Sequence, residues 1–416
     1  MADTSTHNYP HNPLFDRGIT HDGLALVRER FLNLNRERLI RTRTALLPRQ
    51  QIFLDLLPLL IHINHPILPG YNSLSAPCGI DGYQPDTLTL DRVRNNIARS
   101  VEYRPEDQAA PLIHSVFLMG SCGTIAQAEN SDLDVWLCHH ASIDEAGLEK
   151  LYHKAGAISE WAKSLGLEIH FFLMNNDQFR RGQRDRISAE SAGTSQHFLL
   201  LDEFYRSALL VAGRYPIWWL VPPEEEVNYQ EYIALLHSQG FVGPHESIDF
   251  GGVSKIPAGE FIGAGVWQLY KAISSPYKAV LKLLLTEAYA RDFPGVVPLC
   301  VSLKSSIYQG ITDADILDPY IMVYQRLANY LSERNELDRL ELIRRAFYFK
   351  VGIRLSQAST SNTTWRQQLL ENLIAEWQWR PEQLLNLDTR SRWKLRRVRE
   401  EHRFLVAELT NSYRFL

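Results

Sequence analysis

Hydrophobic and polar positions change period several times along the chain, and each change marks a different element. Leu24, Val27, Phe31, Leu34 and Ile40 recur at roughly helical spacing, with Arg28, Arg30, Arg36, Arg38 and Arg41 between them, so Gly23 to Leu46 reads as a helix. Pro48 and Pro58 bracket a second, more apolar helix containing Phe53, Leu54, Leu56 and Leu57. Turn formers then dominate from His65-Pro66 to Pro85, and a short charged helix is expected near Asp91 to Glu102. At Ile113 the period shortens. Ser115 to Met119 is a compact apolar run suited to a buried strand, ended by Gly120-Ser121. A small-residue turn and short helix lead to Ser131, and Asp132 to Cys138 alternates with period two, as a strand does. Ser142 to Leu165 is helical, with Ser142 as its N-cap and Gly166 as its stop. Leu167 to Leu173 alternates again.

After Phe204 the pattern is mostly helical, most clearly over Phe261 to Ile273, Pro276 to Ala290, Asp318 to Leu331 and Leu337 to Arg354. The amphipathic stretch from Arg390 to Leu416 carries no stop signal. The reading is therefore a flexible leader over 1–22, a helical segment over 23–105, an α/β (α+β) core with a mixed sheet over 106–222, and a helical domain over 223–416.

Composition narrows the class. At 416 residues the chain exceeds one ordinary core. Its net charge of -4 argues against a general nucleic-acid binder. The basic stretch Trp393 to Arg399 reads as one helix face, Glu224-Glu225-Glu226 as a solvated loop, and Arg180, Arg181, Arg184 and Arg186 as a surface loop. Cys78, Cys122, Cys138 and Cys300 form no C-x-x-C pair, which disfavours structural zinc and a disulfide framework and fits a cytoplasmic compartment. No signal peptide or membrane-spanning stretch is expected.

The chemistry concentrates in Gly120-Ser121 followed by Asp132-Leu133-Asp134. On a strand, residues i and i+2 share a face, roughly 7 Å apart. Two carboxylates held there repel unless a cation lies between them. Two Mg²⁺ ions about 3.5–4 Å apart bridge such a pair and stabilise a leaving phosphate; Mn²⁺ is a substitute. Mg²⁺ favours carboxylate, phosphate and water oxygens, so it would arrive with a nucleotide. The Gly-Ser turn brings backbone N–H groups and the Ser121 hydroxyl towards phosphate oxygens. Glu168, expected centrally in the third strand, is the first candidate for a third carboxylate, and Asp177 is the second.

These residues resemble the signature of the DNA polymerase β-like nucleotidyltransferase superfamily. Further segments resemble one branch of it, the class I adenylate cyclases of proteobacteria. They are His65-Pro66-Ile67-Leu68-Pro69-Gly70-Tyr71, Asp132 to His139, Gln196-His197, Leu201 to Arg206, Trp267 to Lys271, Ser275 to Lys282, and Leu317-Asp318-Pro319-Tyr320. The resemblance runs from about residue 25 to the end of the chain. It departs from the family pattern in Glu260 to Trp267, where Gly265 is an added glycine, and in lacking the family's long C-terminal regulatory region, through which a regulatory partner would act. The chain thus resembles the N-terminal catalytic half, as an engineered fragment or a naturally short form.

The resemblance implies conversion of ATP to 3′,5′-cyclic AMP and pyrophosphate. One metal would be held by Asp132, Asp134 and Glu168 and acidify the ribose 3′-hydroxyl. The other, on Asp132 and Asp134, would grip the triphosphate. Around this site, Trp136 shares the carboxylates' face and is a candidate for stacking on adenine, against a place in the core. Lys278 and Lys282, one turn apart, are candidates for the phosphates, with Lys271 as a weaker alternative. Arg206 and Arg214 are further phosphate candidates, although Arg206 can equally pair with Asp202. Asp318 is both a nucleotide-site candidate and a helix cap, and Gln196 and His197 are either pocket residues or a helix start. Two other functions share these residues: AMP transfer to another acceptor, and an inactive nucleotide-sensing module.

Overall fold

The computed structural model describes residues 18–104, 110–129, 131–182, 196–253, 255–357 and 364–416. Most of the leader, Arg184, Arg186 and the turn at 193–195 lie outside the described residues. Three helices come first: α1 (His21–Thr44), α2 (Pro48–His62) and α3 (Thr87–Asn96). The α/β region follows with β1 (Ile113–Met119), β2 (Leu133–His139), α4 (Glu145–Ser164), β3 (Ile169–Met174), α5 (Asn176–Arg180), α6 (His197–Ser207), β4 (Leu209–Gly213) and β5 (Tyr215–Pro216). After α7 (Tyr229–Ser238) and β6 (Ser247–Ile248) the chain is helical. These helices are α8 (Ala258–Lys271), α9 (Pro276–Asp292), α10 (Leu299–Tyr308), α11 (Pro319–Glu333), α12 (Leu337–Val351), α13 (Trp365–Trp377), α14 (Pro381–Asp388) and α15 (Leu395–Phe415).

The main sheet is mixed, in the order β3-β2-β1-β4, with β1 antiparallel to β2 and β4, and β2 parallel to β3. Alternation sends its two faces into two cores. Val116, Leu118, Leu133, Val135 and Leu137 pack with α2 and α4. Phe117, Met119, Trp136 and Cys138 face α1, α6 and the helical region. The three N-terminal helices are accordingly divided: α1 joins the second of these cores and α2 the first. Among the described residues no helix is long and apolar enough to cross a membrane.

Local physics moved several boundaries. Pro58 lies inside α2 rather than at its end. The third helix starts earlier than its charged residues suggested, because the Asp86 side chain caps it by accepting from Thr89 N–H. Asp144, not Ser142, caps α4, while Gly166 does stop it with φ +78. Ile40 is 63 % exposed, and the buried stripe of α1 runs instead through Asn35, Arg38 and Thr42. Residues 121–129 form turns, not the short helix expected there. Glu226 is not solvated: it is buried against fully buried Lys304.

Candidate active site

The end of β1 and the start of β2 lie side by side, with Met119 in register with Asp134. Gly120 turns the chain away at φ +90, a conformation that disfavours a side chain, and a Cβ there would point at the Asp134 carboxylate from 3.8 Å. Asp132 is exposed and Asp134 is half-buried, with the Leu133 side chain between them on the opposite, apolar face. Burial raises the Asp134 pKa; Asp132 and Glu203 raise it further, while Lys278 and His170 oppose them.

The loop after Gly120 is held by its own hydroxyls and by distant elements. Thr124 Oγ1 donates to the Ser121 carbonyl at 2.7 Å, and Ser121 Oγ lies 3.4 Å from Ser131 Oγ. Gly123 has φ +64 and packs so tightly on α1 that a Cβ would sit 2.2 Å from the Arg38 carbonyl oxygen. Arg38 itself is buried and donates to the carbonyls of Cys122 at 3.0 Å and Ser207 at 2.9 Å. Burial pulls its pKa down to about 10.

The helical region grips the same loop. Asp318 accepts from the N–H groups of Tyr320 at 2.8 Å and Ile321 at 3.2 Å, capping α11, and from Ile125 N–H at 2.7 Å. Arg366 Nε donates to the Ile125 carbonyl at 2.9 Å, and Lys350 Nζ to the Ala126 carbonyl at 3.0 Å.

Lys278 and Lys282 project from α9 towards this edge. Lys282 Nζ donates to both oxygens of Glu203, at 2.8 and 2.9 Å. Burial works to raise the Glu203 pKa, but Lys282, Arg206 and Lys278 overcome it and hold the group at about 2. Lys278 is exposed and sits close enough to act on both Asp134 and Glu203. Lys271 instead lies over the Trp267 ring.

The structure therefore gathers Gly120, Ser121, Asp132, Asp134, Lys278 and Lys282. Other expected site residues are placed differently. Glu168 precedes β3 instead of lying inside it, is exposed, and pairs with His170 Nε2 at 3.4 Å; its carbonyl accepts from Leu133 N–H. His170 takes the position across from Asp134. Asp177 lies in α5, 3.6 Å from Arg180. Among the described residues, no three His, Cys, Asp or Glu side chains converge on a metal position. Trp136 is buried, stacked on Phe204 at 4.8 Å and packed by Phe179 and Phe250.

Arg206 is buried, with Nη1 on the Pro319 carbonyl at 3.3 Å and Nη2 3.9 Å from Asp202. Arg214 lies at the opposite end of β1, where its backbone N–H bonds the His114 carbonyl and its side chain pairs with Asp81 at 2.8 Å. Asp318 is beneath the loop, not in the open site. Gln196 and His197 start α6, whose Phe198 and Leu199 N–H groups are capped by Glu260. Residue-level reading missed Glu203, Lys350, Arg366 and His170. The signal for Lys350 was a single lysine embedded in Phe347 to Val351, where an unpaired ammonium would be costly.

Fold and site together define a mixed α/β protein in which a sheet edge bearing paired carboxylates faces lysines of a helical region. Two family models divide the chain: one described as "Adenylate cyclase NT domain" matches residues 23–219, and one described as "Adenylate cyclase, class-I, second domain" matches 256–416. The chain belongs to the class-I adenylate cyclase family. Relatives named adenylate cyclase include one from Yersinia intermedia, 41% identical over 94% of this chain and 46% of the relative. Others come from Escherichia coli K12 at 39% and Proteus mirabilis at 38% identity, with the same coverage of each chain. The chain thus spans about half the length of these curated relatives. No solved structure matches it.

Proposed function

We propose that the chain is an adenylate cyclase catalytic region converting ATP to 3′,5′-cyclic AMP and pyrophosphate. The observation that carries this is that Asp132, immediately before β2, and Asp134, within it, stand beside the Gly120 turn, with Lys278 close enough to act on Asp134. We read the sheet as a polymerase β-like nucleotidyltransferase core over 106–222, with 223–416 completing the nucleotide cleft.

The donor set fits Mg²⁺. Two carboxylates on which, among the described residues, no third His, Cys, Asp or Glu ligand converges leave coordination positions for phosphate oxygens and water, as Mg²⁺ prefers. Asp132 and Asp134 would hold two such ions. Bound divalent cations acidify the ribose 3′-hydroxyl and neutralise charge at the phosphates. The N–H groups of the Gly120-Ser121 turn receive phosphate oxygens, and Lys278 meets the leaving pyrophosphate. The 3′-oxygen bonds to the α-phosphorus as the bond from that phosphorus to the bridging oxygen breaks. Glu168, on the same sheet edge, takes the proton from the 3′-hydroxyl.

The test is product identification after incubation with ATP and Mg²⁺ or Mn²⁺. Cyclic AMP with pyrophosphate is expected. A labelled acceptor would indicate AMP transfer, and no turnover a sensing module. Asp132→Asn and Asp134→Asn should each lower turnover by about a thousandfold or more with unchanged circular dichroism. Full activity in either variant excludes the carboxylate pair as the metal site.

A further inference from the structure

Three lysines meet beside the acidic pair, and they are not equivalent. Lys282 is committed to Glu203 through two hydrogen bonds. Lys278 is exposed and faces Asp134. Lys350 comes from α12, is half-buried, and holds the Ala126 carbonyl while lying 5.5 Å from the centre of the Tyr320 ring. Burial lowers its pKa to about 8, with Lys278, Lys282 and Arg366 acting in the same direction and Asp132 against them. Lys350 is thus in electrostatic reach of both α9 lysines and of Asp132.

Its hydrogen bond has a second significance. The peptide it holds belongs to the loop that begins at Gly120 and Ser121. Ile125 and Ala126 are gripped there by Asp318 of the α11 cap, Arg366 of α13 and Lys350 of α12. Asp318 is already saturated by backbone N–H groups, and Arg366 spends Nη2 on the Val351 carbonyl at 2.8 Å. Lys350 alone of the three also shares the electrostatics of Lys278, Lys282 and Asp132. An ammonium crowded by like charges in a partly desolvated position is stabilised when an anion arrives, and its hydrogen bond to a carbonyl strengthens as its charge is secured.

We propose that Lys350 is a positioning residue through which the charge of a bound triphosphate tightens the Gly120–Ala126 loop. The inference rests on the nucleotide reading of the acidic pair and deepens it. It makes the helical region a sensor of phosphate occupancy, in addition to a wall of the cleft.

The full chain should be titrated with inorganic tripolyphosphate and Mg²⁺ by calorimetry, with amide hydrogen exchange followed over 120–129. Lys350→Gln keeps a donor but removes the charge, Lys350→Met removes both, and Lys350→Arg keeps both. Affinity should fall about tenfold in Lys350→Gln and Lys350→Met and recover in Lys350→Arg. Tripolyphosphate should protect the loop amides in the parent and Lys350→Arg but not in Lys350→Gln. Parental affinity or persistent protection in Lys350→Gln overturns the proposal. So does equal weakening in all three variants, which would mark Lys350 as a packing brace, and so does a parent chain that does not bind tripolyphosphate. None of these readouts needs turnover, so a chain that makes no cyclic AMP overturns the proposed activity and leaves this measurement interpretable.

Discussion

Asp318 offers a perturbation in which two oxygens of one carboxylate have separable duties. Oδ1 caps α11 through Tyr320 and Ile321, while Oδ2 reaches across to Ile125 in the loop that follows Gly120. The group is only 1 % exposed, so water cannot replace a lost partner. Asn is nearly isosteric, but one of its two terminal atoms is an N–H donor. All three partners are N–H donors, so whichever way the amide turns, one side is confronted by a like group. Retaining the two-bond cap leaves Ile125 N–H without an acceptor, which costs about 2–3 kcal/mol for a buried donor that had bonded a charge. Asp318→Ala loses the cap as well, adding about 1 kcal/mol, for a total of about 3–4 kcal/mol. Urea unfolding followed by fluorescence of the nine tryptophans measures both losses. Asp318→Asn should also expose the loop amides at 125–126 to exchange while leaving those of α11 protected. Equal stability of Asp318→Asn and the parent, or equal loss in the Asn and Ala variants, would refute the division of labour between the two oxygens.

Glu203 gives a pH dependence of defined sign. Its pKa is lowered from 4.5 to about 2, so its stabilising contribution is complete above pH 4.5 and is lost as pH falls towards 2. The urea midpoint of Glu203→Gln should therefore fall less steeply across that window than the parent's. The buried Lys304–Glu226 pair should show strong coupling: Lys304→Met strands a buried carboxylate at a cost of about 3–5 kcal/mol, and adding Glu226→Gln should recover more than about 1 kcal/mol of it in a double-mutant cycle. Arg214→Met, at the far end of the sheet from Asp134, should leave KM for ATP within about twofold while lowering stability by about 1–2 kcal/mol through loss of Asp81.

What could be read from the sequence followed from short-range regularity. Alternation in Asp132 to Cys138 located β2 and both carboxylates, and the Gly120-Ser121 break located the turn beside them. The long helices α8, α9, α11, α12 and α15 followed from their apolar stripes. The fourth strand was missed because Leu209–Gly213 is too short for its period to show, and it exists through pairing with β1. Site residues supplied over long sequence distances were also hidden. Glu203 looks like one more polar position on α6 until Lys282 is bonded to it 79 residues later. Trp136 illustrates the converse: its face was read correctly, but the face alone did not reveal that Phe204 and Phe250 cover it. Likewise, i to i+4 spacing anticipated the Arg206–Asp202 contact but not the depth at which both are buried.

The bracing of the Gly120 loop sets the order in which this site can come into being on the ribosome. Arg38 is available early, but its acceptor at Ser207 emerges much later, and the partners of Ile125 and Ala126 wait for residues 318, 350 and 366. Arg30 of the first helix likewise finds its acceptors at Ile307 and Tyr308. A nascent chain that has already made β1, β2 and both aspartates therefore holds the acidic pair beside an unbraced loop. The loop has all of its braces only once residue 366 has been made, so a chain stalled before that point carries the acidic residues without the frame that holds the loop beside them.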